Sequence, residues 1–237
     1  MKDPDIRAVA ALDDELRRGM YRFIRAARRP VTRDEAAASV GISRKLAAFH
    51  LDKLVAAGLL QANYRPEGRV GRAPKVYEPA TVEISVAIPE RQHDALAAIL
   101  LDAVVTTEAG DAAIQSARRR GEDLGTQVRT GADPHEEPER ARKLGRLGPE
   151  RTLTVAQEVL ARHGFEPSRE SPTCVRLRNC PFHPLAAQAP DLVCGINQAF
   201  LTGFLCGLGA STAIEAALAP TQDECCVVLR TANPTKT

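Results

Sequence analysis

The chain has 237 residues, 44% of them apolar and 26% charged, with 32 Lys and Arg against 30 Asp and Glu. That length and apolar share suit two compact domains, while the charged opening MKDPDIRAVAALDDEL and the lack of a run of about eighteen apolar residues argue against a signal peptide or a membrane span. A cytoplasmic protein with no membrane partner is the expectation. The charge is uneven: residues 1–80 hold sixteen Lys and Arg against ten Asp and Glu, net +6, and the remainder holds sixteen against twenty, net −4. A basic first third beside an acidic remainder fits phosphate contact by one part and a separate task for the other.

Between Val31 and Ala80 the local signals read as two short helices and a hairpin. Thr32 with Glu35 makes a capping box and Gly41 ends the helix that follows. Ser43 then caps a second helix, SRKLAAFHLDKLVAAG, which Gly58 stops after about fifteen residues, roughly 22 Å. Ala47, Leu51, Leu54 and Val55 recur as an apolar stripe that faces inward. Ser43, Arg44, Lys45, Ala48, Phe49 and Lys53 fall mainly on the other side. In a helix-turn-helix the start of the second helix approaches base edges, so Arg44 and Lys45 are the candidates for reading bases, with Ser43 on a base or a phosphate. Phe49 either touches thymine methyls or packs on the hairpin. His50 reads as a partly buried, hydrogen-bonded helix residue in preference to a sensor.

Leu59 to Tyr64 fits a strand, PEGRVGRAPK a turn, and Val76 to Glu78 the returning strand. Arg65, Arg69, Arg72 and Lys75 crowd this wing with Glu67 as the lone carboxylate, which suits a minor groove or a phosphate clamp better than a merely solvated hairpin. ISRKLAAFHLDKLVAAGLL followed by GRAPKVYEP resembles the winged helix of ArsR-like bacterial transcriptional regulators over the first third of the chain. The resemblance implies a double-stranded DNA partner and a regulatory role.

Thr81 to Ile88 alternates weakly and is either a sheet extension or a linker. Pro89 opens one long helical region to about Arg129, whose patch of Leu96, Ile99, Leu100, Ala103 and Val104 suits pairing with a second copy in a homodimer, since two recognition helices must lie about one DNA turn apart. Packing within the subunit is the other option. GADPHEEPERARKLGRLGPE reads as a loop, and Thr152 to His163 as a helix ended by Gly164. The domains expected are 1–80, winged helix-turn-helix; 81–130, linker and dimerisation helix; and 131–237, a Cys-rich α/β sensor. The whole is α+β and mostly helical.

All six cysteines, at 174, 180, 194, 206, 225 and 226, lie in the last third. Structural disulfides are disfavoured in a reducing compartment. Asn179-Cys180-Pro181-Phe182-His183, Leu192-Val193-Cys194-Gly195-Ile196-Asn197 and Cys225-Cys226-Val227-Val228-Leu229 resemble the C-terminal region of the iron-sulfur-cluster-containing Suf-operon repressors, which belong to the same winged-helix group. The resemblance implies a cluster held by cysteines and an affinity for operator DNA that follows its state. The gaps between Cys180, Cys194, Cys206 and Cys225 do not follow the spacing of the group's four-cysteine form.

Leu192, Ile196, Phe200, Phe204 and Leu208 recur every four residues and predict one helix. On it Cys194 and Cys206 lie about 18 Å apart, so one cluster cannot take both. Cys206 then reads as a buried or interface thiol. Cys225 and Cys226 should point to opposite faces of a strand, with Cys225 inward beside Val227 and Leu229. Cys174 is left as a strand thiol. The ligand set expected is Cys180, Cys194 and Cys225, with His183 or an oxygen donor as the fourth, for an iron-sulfur cluster or, alternatively, zinc. Cysteines kept only as core, with no cofactor, are the competing possibility.

Three functions fit these observations to different extents. A repressor sensing cluster, redox or metal state comes first. A winged-helix regulator with an organic effector, walled by Phe182, Phe200 and Phe204, comes second. A thiol or zinc hydrolase using Cys180 and His183 comes last, since no catalytic motif accompanies that pair and an enzyme is not expected.

Overall fold

The computed structural model describes residues 3–64, 74–81, 84–87, 91–132, 148–221 and 224–232. It mixes helices with two small antiparallel sheets and divides into two compact units, Met1–Gln92 and His93–Thr237. Among the described residues no helix is long and apolar enough to cross a membrane.

In the first unit, α1 (Asp3–Ala11) and α2 (Glu15–Ala27) precede the predicted pair. Asp14 caps α2 by accepting from the Arg17 backbone N–H at 2.9 Å. The two predicted helices follow as α3 (Arg33–Val40) and α4 (Arg44–Ala56). Both arms of the Thr32–Glu35 capping box are formed, and Gly41 ends α3 with φ at 68°, a left-handed conformation that glycine adopts without a Cβ clash. Ser43 caps α4 through the Leu46 N–H at 3.3 Å.

Met20, Ile24, Ala36, Ala47, Leu51 and Leu54 are all fully enclosed in one core. The hairpin is β2 (Leu60–Tyr64) and β3 (Lys75–Pro79), joined by a strand the sequence did not suggest, β1 (Val31–Thr32), in the order β1-β3-β2. Val31 lies opposite Tyr77, and both are buried. Two residues are too short a run for alternation to reveal. Thr81 and residues 84–87 form no strand.

The long helix expected from Pro89 to Arg129 is in fact two, α5 (His93–Thr106) and α6 (Gly110–Thr130). Glu108 interrupts it with φ at 53°, and the Glu108 and Ala109 N–H groups turn back to the carbonyls of Val105 and Val104. Consecutive β-branched Thr106 and Thr107, of modest helix propensity, precede the break. No residue of α5 is buried; Leu96, Ile99 and Leu100 stand exposed.

α6 packs along α9 (Pro190–Gly207) with backbones in contact. A Cβ on Gly121 or Gly125 would stand 1.9 or 2.2 Å from the carbonyl oxygen of Phe200 or Phe204, and one on Gly203 or Gly207 would stand 2.0 or 2.2 Å from that of Arg118 or Glu122. No larger residue fits at these four positions without parting the helices. Arg129 closes the end of the pair by donating from Nε to the Gly207 carbonyl at 2.7 Å.

The sheet of this unit runs β4-β5-β7-β6, from β4 (Pro167–Ser171), β5 (Cys174–Leu177), β6 (Ile214–Leu218) and β7 (Val227–Thr231). The helix predicted near Thr152 is α7 (Pro149–Arg162), with Gly148 before it and proline at its first position, where a missing N–H costs nothing. It buries Leu153, Ala156, Val159 and Leu160 in one core with Val175, Leu177, Leu201, Phe204 and Leu229. A short α8 (Leu185–Gln188) leads into α9. Most of the expected loop 131–150 lies outside the described residues.

Candidate nucleic-acid interface and thiol site

α4 divides as its spacing predicts. Ala47, Leu51 and Leu54 are buried, while Ser43, Arg44, Lys45, Phe49 and Lys53 are exposed. Ala48 is half-buried instead of fully outward. Phe49 is 55% exposed, with the Lys53 ammonium 5.6 Å from its ring centroid and the His50 ring edge-on at 5.5 Å. An apolar ring held in solvent beside a cation is a surface prepared for contact. His50 departs from expectation: it is buried, but its Nδ1 lacks a hydrogen bond, and the nearest carboxylate, that of Asp14, is 3.9 Å away.

Arg44 is not free in this state. Its Nε lies 2.5 Å from Asp34 Oδ1. Lys75, expected at the wing tip, sits at the start of β3, where its ammonium donates to Asp52 Oδ1 at 2.9 Å and lies over the Tyr77 ring. The bond to Asp52 raises the Lys75 pKa above its ordinary value, so it stays charged. Thr32, Arg33, Asp34, Arg44, Tyr64, Pro74, Lys75 and Tyr77 line an open cleft of about 550 Å³ between the start of α4 and the wing strands. Arg65, Arg69 and Arg72 lie outside the described residues.

Glu35 ties the start of α3 to the chain before it. It accepts from the Thr32 N–H and hydroxyl at 2.8 Å each and from Arg29 at 2.7 Å. The Arg29 bond first, then those from Thr32, hold its carboxyl down at about 2.

In the second unit the fold brings Cys180 and Cys225 together. The nearness of the Cys225 thiol, together with burial, pushes Cys180 far above the usual thiol range. Cys225 is raised as well: the neighbouring Cys180 thiol lowers it, but the Cys226 thiol and burial outweigh that. Both thiols are therefore neutral at pH 7, and a metal binding here would displace their protons. The expected alternation at Cys225 and Cys226 is not found. β7 begins only at Val227, so both cysteines precede the strand and both are buried.

Asn197 completes the group, and sequence reasoning missed it. One turn beyond Cys194 on α9, it is fully enclosed and donates from Nδ2 to Cys225 Sγ at 3.1 Å. Its Oδ1 has no hydrogen-bond partner. An orphaned buried carbonyl costs about 1–3 kcal/mol. The available signal was a polar residue on the inward face of an otherwise apolar helix.

Cys194 is half-buried against the core. His183 is tied to this region by its N–H, which donates to the Cys180 carbonyl at 3.1 Å. Among the described residues, however, no three His, Cys, Asp or Glu side chains stand close enough to hold a metal ion. Two soft donors in contact and an unsatisfied oxygen beside them fit a thiophilic group in donor chemistry, with Cys194 and His183 outside the contact.

Cys206, expected to be buried or at an interface, is exposed, its thiol 3.9 Å from Glu122. α9 is continuous, so its separation from Cys194 stands. Cys174 is a β5 thiol 3.8 Å from Glu170. Of the rings proposed as effector walls, Phe204 is sealed in the core and Phe182 packs edge-on against Phe165 at 6.4 Å.

No curated protein and no solved structure matches this chain. Residues 12–61, which span α2 to the start of β2, match the family model of a helix-turn-helix domain, and this domain supports a DNA-binding transcriptional regulator.

Proposed function

We propose that this chain is a homodimeric transcriptional repressor whose operator affinity follows the occupancy or redox state of the Cys180–Cys225 site. The observation that carries the DNA end is the Ser43-capped start of α4, which presents Arg44, Lys45, Phe49 and Lys53 on one exposed face above a packed core. The α5 face supports the dimer, because Leu96, Ile99 and Leu100 are 54%, 65% and 56% exposed on a helix with no buried residue. An apolar helix of this kind is stable in water only when something covers it.

Cys180 and Cys225, with Cys194 drawn in from outside their contact, would hold an iron-sulfur cluster or zinc, with the Asn197 carbonyl oxygen or a likewise drawn-in His183 as the fourth donor. A cluster supplies an oxidisable charge centre. The chain's own part is to give up the thiol protons and to keep water out, which the burial of Cys225 and Asn197 favours. An organic effector has less support, since Phe204 faces packed core.

Protein purified without oxygen, with iron and sulfide supplied, tests the sensor. Visible absorbance with matching iron and sulfide is expected, lost in Cys180→Ser, Cys194→Ser and Cys225→Ser and retained in Cys206→Ser. Absence of iron, sulfide and zinc would overturn the sensor reading and leave the DNA reading to be judged by duplex binding alone.

A further inference from the structure

Among the described residues, two cations of the candidate DNA face are already occupied by acids beside them. Asp34, in the first turn of α3, holds Arg44, and Asp52, on α4, holds Lys75. Asp34 is not needed to cap α3, because Thr32 and Glu35 do that. Asp52 lies on the solvent side of α4, outside the core. Neither carboxylate has a packing role, and each stands where a backbone phosphate would approach its partner.

We propose that Asp34 and Asp52 are specificity-determining residues that restrain this face from gripping duplex DNA indiscriminately. The proposal rests on the DNA-binding reading. To bind DNA, Arg44 and Lys75 exchange a carboxylate for a phosphate or a base edge. Exposed ion pairs are weak, so the exchange itself is easy. The displaced carboxylates nevertheless stay near the polyanion and repel it. Phosphate contact alone then gains little, and only a duplex that also offers base-edge contacts to Arg44 and its neighbours is held well.

The test uses the full chain and fluorescence anisotropy between 50 and 200 mM salt. A random duplex is compared with one enriched by selection on the wild-type protein. Asp34→Asn and Asp52→Asn should each raise affinity for the random duplex by about tenfold and steepen its salt slope by about one. The selected duplex should gain less, so the ratio between the two falls. Glu215→Gln, which removes the same charge from an exposed pair with Arg230 in the other unit, should change neither. Variants that bind the random duplex no better than wild type, or that gain equally on both duplexes, would overturn the proposal while wild-type binding persists. A wild-type protein that binds no duplex would instead sink the DNA-binding reading.

Discussion

The two units place their chemistry on opposite sides of their own surfaces. In the first, the candidate groups stand in solvent, and Arg44, Lys75 and Phe49 each meet a neighbour of opposite or complementary character. In the second they are drawn inward, as Cys225 and Asn197 are bonded within the core and Cys180 packs half-buried against it. A surface site can be altered at little structural cost, because exposed substitutions change stability by only a few tenths of a kcal/mol. A buried site is bound up with the fold, so ligand, protonation and packing there are one problem.

That difference can be broken most forcefully at the helix contact. Gly203→Val should lower the stability of the second unit by about 3 kcal/mol or more, since even its Cβ would sit 2.0 Å from the Arg118 carbonyl oxygen. Calorimetry of the full chain should show one transition falling while the other holds. Both falling together would mean that the units unfold as one.

Arg44→Ala should leave the melting temperature nearly unchanged and cost about 1–3 kcal/mol of discrimination at one base pair. Binding to single-base variants of a selected duplex measures it. Equal losses on selected and random DNA would remove Arg44 from base reading.

Asn197→Leu sharpens the contrast from inside. The substitution gives up one bond to Cys225 but also removes a carbonyl without a partner, so the metal-free chain should keep its stability to within about 1 kcal/mol. Retention of zinc or iron should fall all the same. Chemical denaturation and metal analysis read the two effects separately, and a stability loss above about 2 kcal/mol would make Asn197 a structural residue only.

The smallest effect is a pH dependence. Glu35 ionises near 2 in the folded chain against 4.5 ordinarily, so its contribution is fully present above about pH 5 and drains away as pH falls from 4.5 toward 2. Glu35→Gln should flatten that part of the acid unfolding curve of the first unit. An unchanged curve would show that the ionisation of Glu35 gives no net stability.

The first unit was legible because its rules are local. Thr32, Glu35, Gly41 and Ser43 act within one turn of where they stand, and the stripe from Ala47 to Leu54 states its own burial. What escaped there was non-local: β1, which exists because Val31 meets Tyr77, and the pairs from Arg44 to Asp34 and from Lys75 to Asp52. In the second unit the α9 helix was readable from its four-residue recurrence. The junction at Glu108 was not, since a left-handed glutamate carries no compositional mark. The pairing of Cys180 with Cys225 was reached through a resemblance. Asn197 showed only as a polar residue on an apolar helix face, because its partner Cys225 comes from a distant chain segment.

The glycine contact between α6 and α9 also bears on how a local event would travel. Helices separated by bulky side chains can slide by exchanging rotamers, but here carbonyl oxygens meet bare Cα positions at Gly121, Gly125, Gly203 and Gly207. Any axial slip would drive peptide groups into each other. The pair therefore moves as a single strut. Cys194 and Asn197 lie on the half of α9 before this contact, and α6 begins four residues after α5 ends. A displacement of α9 at Cys194 would therefore carry α6 with it, and α6 leads back through the short turn at Glu108 to the foot of α5.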